Sequence, residues 1–232
     1  MIQTLPETRS TNADLAARIR AGEALDEGFW LVADRQSGGR GRQGRVWESG
    51  EGNFMGSTLV RIGAGDPPAQ TLAFVAGLAT IEALLPYCDG VHLKWPNDVL
   101  LNGAKIAGIL LEAECDAVII GVGVNLAVAP TIPDRPTARL PHPVSRDLFA
   151  AQLAEHFAEQ LARWRAHGTD VLFARWCAAA HPVGAMLAVH ETDGQVLSGT
   201  FAGLDSDGAL LLRLADGSVS AIHAGDVTIR GQ

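Results

Sequence analysis

The last quarter of the chain constrains the fold more than any other stretch. After His181-Pro182 the sequence breaks into five short segments of strand character: around Leu187, Val196 to Leu204, Ala209 to Leu214, Val219 to Ile222 and Val227 to Ile229. Asp-Gly pairs at 193-194, 207-208 and 216-217 separate them. Aspartate and glycine accept the positive φ of tight hairpin turns, so this spacing describes a small β-barrel of about 50 residues. The remaining residues must then form a separate body of different character.

In that body, helical and strand patterns are mixed. Ser10 or Thr11 reads as the cap of a helix carrying Leu15, Ala16 and Ile19 and closed by Gly22. Phe29 to Ala33 and Asn53 to Arg61 read as strands. Pro67-Pro68 opens a long helix stopped by Pro86, whose wide apolar face suits packing against a sheet. Val91 to Trp95, Asp98 to Leu101, Lys105 to Glu114 and Val118 to Val124 follow as strands, with a hairpin turn at Asn102-Gly103. A proline-rich connector covers 129 to 144, and helices are predicted over Arg146 to His167 and Asp170 to Ala179.

Between the first two strands lies a segment with no folding motive of its own. Residues 36 to 47 run Gln-Ser-Gly-Gly-Arg-Gly-Arg-Gln-Gly-Arg-Val-Trp, and no carboxylate intervenes between Arg35 and Arg45. Glycine loses the most backbone entropy on ordering, and the guanidinium groups repel one another, so an anionic ligand is the expected compensation. The chain as a whole carries a net charge of -8, which argues against sequence-independent nucleic-acid binding and makes these arginines a local site.

Gly39, Gly41 and Gly44 formally satisfy GxGxxG after a strand, but Arg45-Val-Trp-Glu-Ser-Gly-Glu-Gly cannot continue as the helix that a dinucleotide site needs. Lys94-Trp95-Pro96-Asn97-Asp98 brings a lysine, an amide and a carboxylate to one strand break, where side chains converge on clefts. On spacing alone, Lys105 is a solvated lysine at the start of a strand, and Asn125 a polar strand end. Cys88, Cys115 and Cys177 have no metal-binding or disulfide spacing and read as small hydrophobes. The N-terminus lacks a signal-peptide pattern and no apolar run reaches the ~18 residues of a membrane span, so a cytoplasmic location is expected.

Taken together, Ser10-Thr-Asn, GRGRQGR followed by a Trp, KWPND, KIAGILLE and GVGVN resemble the biotin-protein ligases (biotin-[acetyl-CoA-carboxylase] ligases) over nearly the whole chain. The resemblance implies an α+β fold: a mixed-sheet, class II synthetase-like ligase domain over 1-182, then an SH3-like barrel over 183-232. It implies MgATP-dependent activation of biotin to biotinyl-5′-AMP and transfer to a lysine of a biotin carboxyl carrier domain, with ATP and biotin as substrates and Mg2+ required. A homodimer is common among such enzymes. DNA binding and a membrane partner are not expected.

The same resemblance assigns roles. Lys105 and Arg42 would be catalytic. Ser10, Thr11 and Gln36 would bond the ureido head of biotin, with Gly39 contributing backbone; Arg40, Arg42 and Arg45 would line the carboxylate and phosphate region, Lys105 would bridge the biotin carboxylate and the α-phosphate, and Gly108, Leu110, Gly121 and Gly123 would line an apolar slot. Arg40, Arg42, Arg45, Trp47, Lys94, Asn97, Asp98, Lys105 and Asn125 would meet the nucleotide, joined by Arg230 from the barrel. No metal ligand is assigned, Asp98 being the candidate. Two other readings stay open: a lipoate or octanoate transferase relative, and a noncatalytic biotin sensor. Gln43 stands where a further cation is sometimes found in this loop.

Overall fold

The computed structural model describes residues 1-232 apart from 49, 134, 191-193 and 230-232. Seven strands form one mixed sheet: β1 (Ile2–Leu5), β2 (Trp30–Ala33), β3 (Phe54–Arg61), β4 (Val91–Lys94), β5 (Asp98–Leu101), β6 (Ala104–Glu114) and β7 (Ala117–Val124). Their spatial order is β1-β2-β3-β7-β6-β5-β4, with β1 parallel to β2 and every other pair antiparallel. The central strands β3 and β7 are buried, as strands covered on both faces must be.

Alternation along the strands divides the core in two. On one face Leu31, Leu59 and Ile119 meet Leu15 and Ile19 of helix α1 (Thr11–Arg20), whose first turn is capped by the Ser10 hydroxyl. On the other face Trp30, Val32, Phe54 and Val60 meet α2 (Leu72–Leu84) and α3 (Arg146–Ala179). Helix α2 is buried almost all round because the sheet lies on one side and α3 on the other. Edge-to-face aromatic contacts tie this layer together, Trp30 to Phe157 at 5.7 Å and Phe54 to Phe149 at 5.5 Å. At Gly168 the helical span α3 is broken (φ 71°, ψ -160°), so it is two helical arms meeting at a left-handed residue, as the sequence predicts.

Strands β8 (Met186–His190), β9 (Val196–Leu204), β10 (Leu210–Arg213), β11 (Val219–Ile222) and β12 (Asp226–Ile229) form the small SH3-like barrel, in the order β11-β10-β9-β8-β12, all antiparallel. Its interior residues Leu187, Val189, Phe201, Leu210 and Val227 belong to the same continuous apolar core as the large sheet. The Trp95 indole N–H donates to the Gly208 carbonyl at 3.0 Å, so the break after β4 is pinned to a barrel turn. The Asp-Gly turns at 207-208 and 216-217 lie between barrel strands; that at 193-194 falls partly outside the described residues. Strand β1 is absent from the sequence expectations: four exposed or half-exposed residues whose pairing partner β2 lies 25 residues on leave no local signal.

Candidate active site

Three glycines open a trough in the sheet. Cross-strand register sets Gly108 of β6 opposite Gly123 of β7, and Leu110 opposite Gly121, which in turn faces Ser57 of β3. Side chains two apart on a strand share a face, so Gly121 and Gly123 extend the face of Ile119 beyond the cover of α1. Neither could carry a methyl group: a Cβ on Gly121 would overlap the Asn12 side chain, and one on Gly123 the Trp47 indole. Ser10, Thr11, Asn12 and Gln36 close one end of this trough, Arg40 and Trp47 the other, leaving a narrow pocket of about 40 Å³.

Its closed end is held by short hydrogen bonds. The Thr11 backbone N–H donates to Gln36 Oε1 at 2.7 Å, and the Thr11 and Ser57 hydroxyls lie 2.6 Å apart. Ser57 donates to Asn12 Oδ1 at 2.5 Å, and Asn12 Nδ2 donates to Glu112 Oε2 at 2.8 Å. The other Glu112 oxygen takes Arg40 at 3.0 Å.

Across Gly108 lies a much larger cleft of about 720 Å³, walled by the Gly/Arg loop, the β4–β5 break, the proline-rich connector and β12 of the barrel. Asp98 sits in it between two ammonium groups, Lys105 at 2.6 Å and Lys94 at 3.2 Å. Burial alone would push the Asp98 carboxyl up, but the two lysines outweigh it and hold it below the usual carboxylate range. A bulge in the β5–β6 pairing between Val99 and Leu100 separates the Asp98–Gly108 register from that of Leu100 with Lys105 and lets the lysine turn back to Asp98. Asp226 of β12 pairs with Arg45 and, at 3.6 Å, with Arg135 of the connector. Arg42 donates to Asn97 Oδ1 at 3.2 Å, and burial draws its guanidinium below its ordinary value. The arginines of the loop are therefore partly matched by the protein itself, through Glu112 and Asp226.

The family model described as the Biotin/lipoate A/B protein ligase family matches residues 5–125, and the biotin protein ligase C-terminal domain matches 189–230. The chain belongs to the biotin/lipoate A/B protein ligase family. A biotin-[acetyl-CoA-carboxylase] ligase of Paracoccus denitrificans is 38% identical over 90% of this chain and 92% of its own length. One from Mycobacterium tuberculosis (strain ATCC 25618 / H37Rv) is 35% identical over 97% and 88%. Among solved structures, the biotin protein ligase of Aquifex aeolicus in complex with biotin and ATP superimposes with a TM-score of 0.84 at 26% identity, covering 100% of this chain and 99% of that one.

Within this family framework, the two cavities divide the residues singled out from the sequence. Ser10, Thr11, Gln36, Arg40, Gly108, Leu110, Gly121 and Gly123 line the narrow pocket. Arg42, Arg45, Lys94, Asn97, Asp98, Lys105 and Asn125 line the cleft, and Trp47 belongs to both. Four of these residues are placed individually. Arg40 lies on the pocket side, where Glu112 pairs with it. Arg42 lies on the cleft side, where it donates to Asn97, and Lys105 lies there too, held by Asp98, with its Nζ against Gly108 at the pocket boundary. Gly39 lines neither cavity; its carbonyl accepts the Trp47 N–H at 2.9 Å and so closes the loop.

Other residues have structural partners in addition. The Asn125 amide donates to the Ala138 carbonyl at 3.0 Å, tying the connector to the sheet. Asp98 is committed to its two lysines. Arg230 lies outside the described residues. Asn12, Ser57, Glu112, Arg135 and Asp226 were not singled out, and each owes its place to partners far away in sequence. Two of them left a signal, Glu112 as a carboxylate closing the otherwise apolar run Ile106 to Leu111 and Asn12 as the third residue of the Ser10-Thr-Asn motif.

Proposed function

We propose that this chain activates biotin with MgATP to biotinyl-5′-AMP and transfers the biotinyl group to a lysine of a biotin carboxyl carrier domain. One observation carries the reading: a narrow, hydrogen-bonding pocket and a wide cationic cleft share the wall formed by Trp47, with Lys105 Nζ against Gly108 where they meet. A small polar ring held in the pocket would extend its carboxylate past Gly108 and Gly123 to the triphosphate in the cleft.

Chemically, two anions must approach each other before one attacks the other. A carboxylate oxygen forms a bond to the α-phosphorus while the bond to the bridging oxygen breaks and pyrophosphate leaves. Lys105 supplies the cation between them, and Arg42, Arg45 and Lys94 surround the charge that develops on phosphate. In the second step the carrier's lysine amine attacks the mixed anhydride carbonyl, a carbon–nitrogen bond forms, and AMP departs with the bonding electrons. Mg2+ enters as part of the nucleotide substrate, on phosphate oxygens. The donor set agrees: Asp98 and Asp226 are both matched to cations of the protein, so the site fits a metal carried by ATP better than one caged by the chain.

A lipoyl or octanoyl chain suits the pocket less well, since its apolar end offers no hydrogen bond to the polar residues Ser10, Thr11 and Gln36 that line the closed end. We assign residues 1-182 to the ligase domain and 183-232 to the barrel, place the activity in the cytoplasm, and assign no DNA partner on the net charge of -8. Among the described residues no helix is long and apolar enough to cross a membrane. A homodimer is carried by the family resemblance alone. The test is incubation with ATP, magnesium, biotin and a carrier domain, followed by intact mass of the carrier. A single biotinyl gain that requires ATP is expected; no gain would sink the reading.

A further inference from the structure

The hydrogen bonds at the closed end of the narrow pocket have a direction, and one charge sets it. Glu112 is ion-paired to Arg40 at 3.0 Å, and a carboxylate can only accept. Asn12 must therefore turn its amide NH2 toward Glu112, at 2.8 Å, and its carbonyl toward Ser57. A carbonyl cannot donate, so the Ser57 hydroxyl gives it its only proton, across 2.5 Å. The 2.6 Å contact between Ser57 and Thr11 then needs the Thr11 proton, because two bare oxygens at that distance repel. Thr11 Oγ1 also lies 3.1 Å from Gln36 Oε1, but the hydroxyl has one proton, and the 2.6 Å contact with Ser57, whose own proton goes to Asn12, claims it. Thr11 thus points its proton inward and keeps lone pairs for the pocket. Asn12, Ser57 and Thr11 are 4%, 0% and 3% exposed, so water does not compete.

We propose that Glu112 is a positioning residue that fixes the polarity of this chain, making Thr11 Oγ1 a hydrogen-bond acceptor for an N–H at the head of the ligand. The inference rests on the reading of this pocket as the site of biotin, whose cyclic urea carries such N–H groups. Without Glu112 the Asn12 amide is free to rotate, and rotation reverses every bond in the chain and turns Thr11 into a donor. Glu112 touches no ligand; it acts through three buried side chains. The same carboxylate holds Arg40, so the polarity of the pocket end and the placement of the loop depend on one residue.

The test is calorimetric titration of biotin into the full chain and into Glu112→Ala, Thr11→Val and the double variant, with thermal melts in parallel. Glu112→Ala should weaken biotin binding by about tenfold or more, as should Thr11→Val. If Glu112 acts through Thr11, the double variant binds within about twofold of Thr11→Val alone, a non-additivity that a general structural role would not produce. Losses that multiply, or a Glu112→Ala protein that binds within about twofold of the unmodified chain, would overturn the proposal. Failure of the unmodified chain to bind biotin would overturn the functional reading and this inference together. Should Glu112→Ala not fold, the isosteric Asn12→Asp places two carboxylates face to face. It should lose about tenfold in affinity, and adding Glu112→Gln should recover all but about threefold by restoring a donor–acceptor pair that still presents an acceptor to Ser57. Absence of that rescue overturns the proposal.

Discussion

The two cavities that meet at Gly108 and Gly123 are built by opposite means. The narrow pocket takes its walls from regular elements, the first turn of α1 and the interior of β3, β6 and β7, and its closed end is neutral side chains at short, directed distances. Around the cleft, the walls are turns, loop and connector with one barrel strand, and the side chains are charged. There cations are matched by carboxylates: Lys94 and Lys105 by Asp98, Arg45 and Arg135 by Asp226. A pocket of the first kind selects by shape and hydrogen-bond direction. A cleft of the second kind holds a multiply charged group whose position is set by the balance of charge, and it loses function when a cation is removed.

Lys105→Ala separates the two most strongly. It removes the cation at the boundary, so biotin-dependent exchange of pyrophosphate into ATP should fall by about 10² to 10³. Biotin binding measured without ATP should fall less, since Lys105 sits at the mouth of the pocket beside Gly108, away from its hydrogen-bonding closed end. An unchanged exchange rate would take Lys105 out of the chemistry and break the contrast between pocket and cleft. Gly121→Ala probes the other side with a smaller effect. The added methyl would overlap Asn12 Oδ1 and force the hydrogen-bond chain apart. Biotin affinity should fall by about 10-fold to 100-fold while affinity for ATP alone stays within about twofold, and an equal loss for both ligands would show that the cavities are not independent.

The contrast also explains what could be read in the sequence. Elements with local causes were legible: the Ser10 cap of α1, the Asn102-Gly103 turn, and the break of α3, where a left-handed glycine splits an otherwise helical pattern. Gly108, Gly121 and Gly123 were legible as a slot only through the family motifs, because register alone brings them together. Partners separated by long stretches of chain were not: Asn12 finds Ser57 45 residues away and Glu112 100 away, and Arg45 finds Asp226 181 away. The Gly/Arg loop shows the consequence. Read locally, its arginines demand an external anion; in the fold, two of them already have carboxylates, and the ligand competes with or adds to those partners.

A third prediction separates the cleft from the junction that supports it. Asp98 keeps its charge to below the usual carboxylate range, because Lys105 and Lys94 outweigh its burial, so the lysine pair it holds resists acidification. Behind it, at the link into the barrel, the buried His181 ring packs edge-on to Phe201 of β9 with centroids 4.4 Å apart. Burial, followed by the neighbouring His92 and with a smaller contribution from Lys94, depresses the His181 pKa to about 4. The sign follows from which state takes up the proton. Above about pH 6.5 neither the folded nor the unfolded chain protonates this ring; between that value and 4 only the unfolded chain does. Stability from this group therefore declines as pH falls across that window, by about 3 kcal/mol in all, and is flat below it. His181→Phe keeps an aromatic ring against Phe201 and removes the titration. In urea unfolding at pH 7 and pH 4.5, the unmodified chain should lose about 2 to 3 kcal/mol more than the variant on acidification. If both lose stability in parallel, the acid sensitivity belongs to another group, and the junction is no weaker towards acid than the cleft it supports.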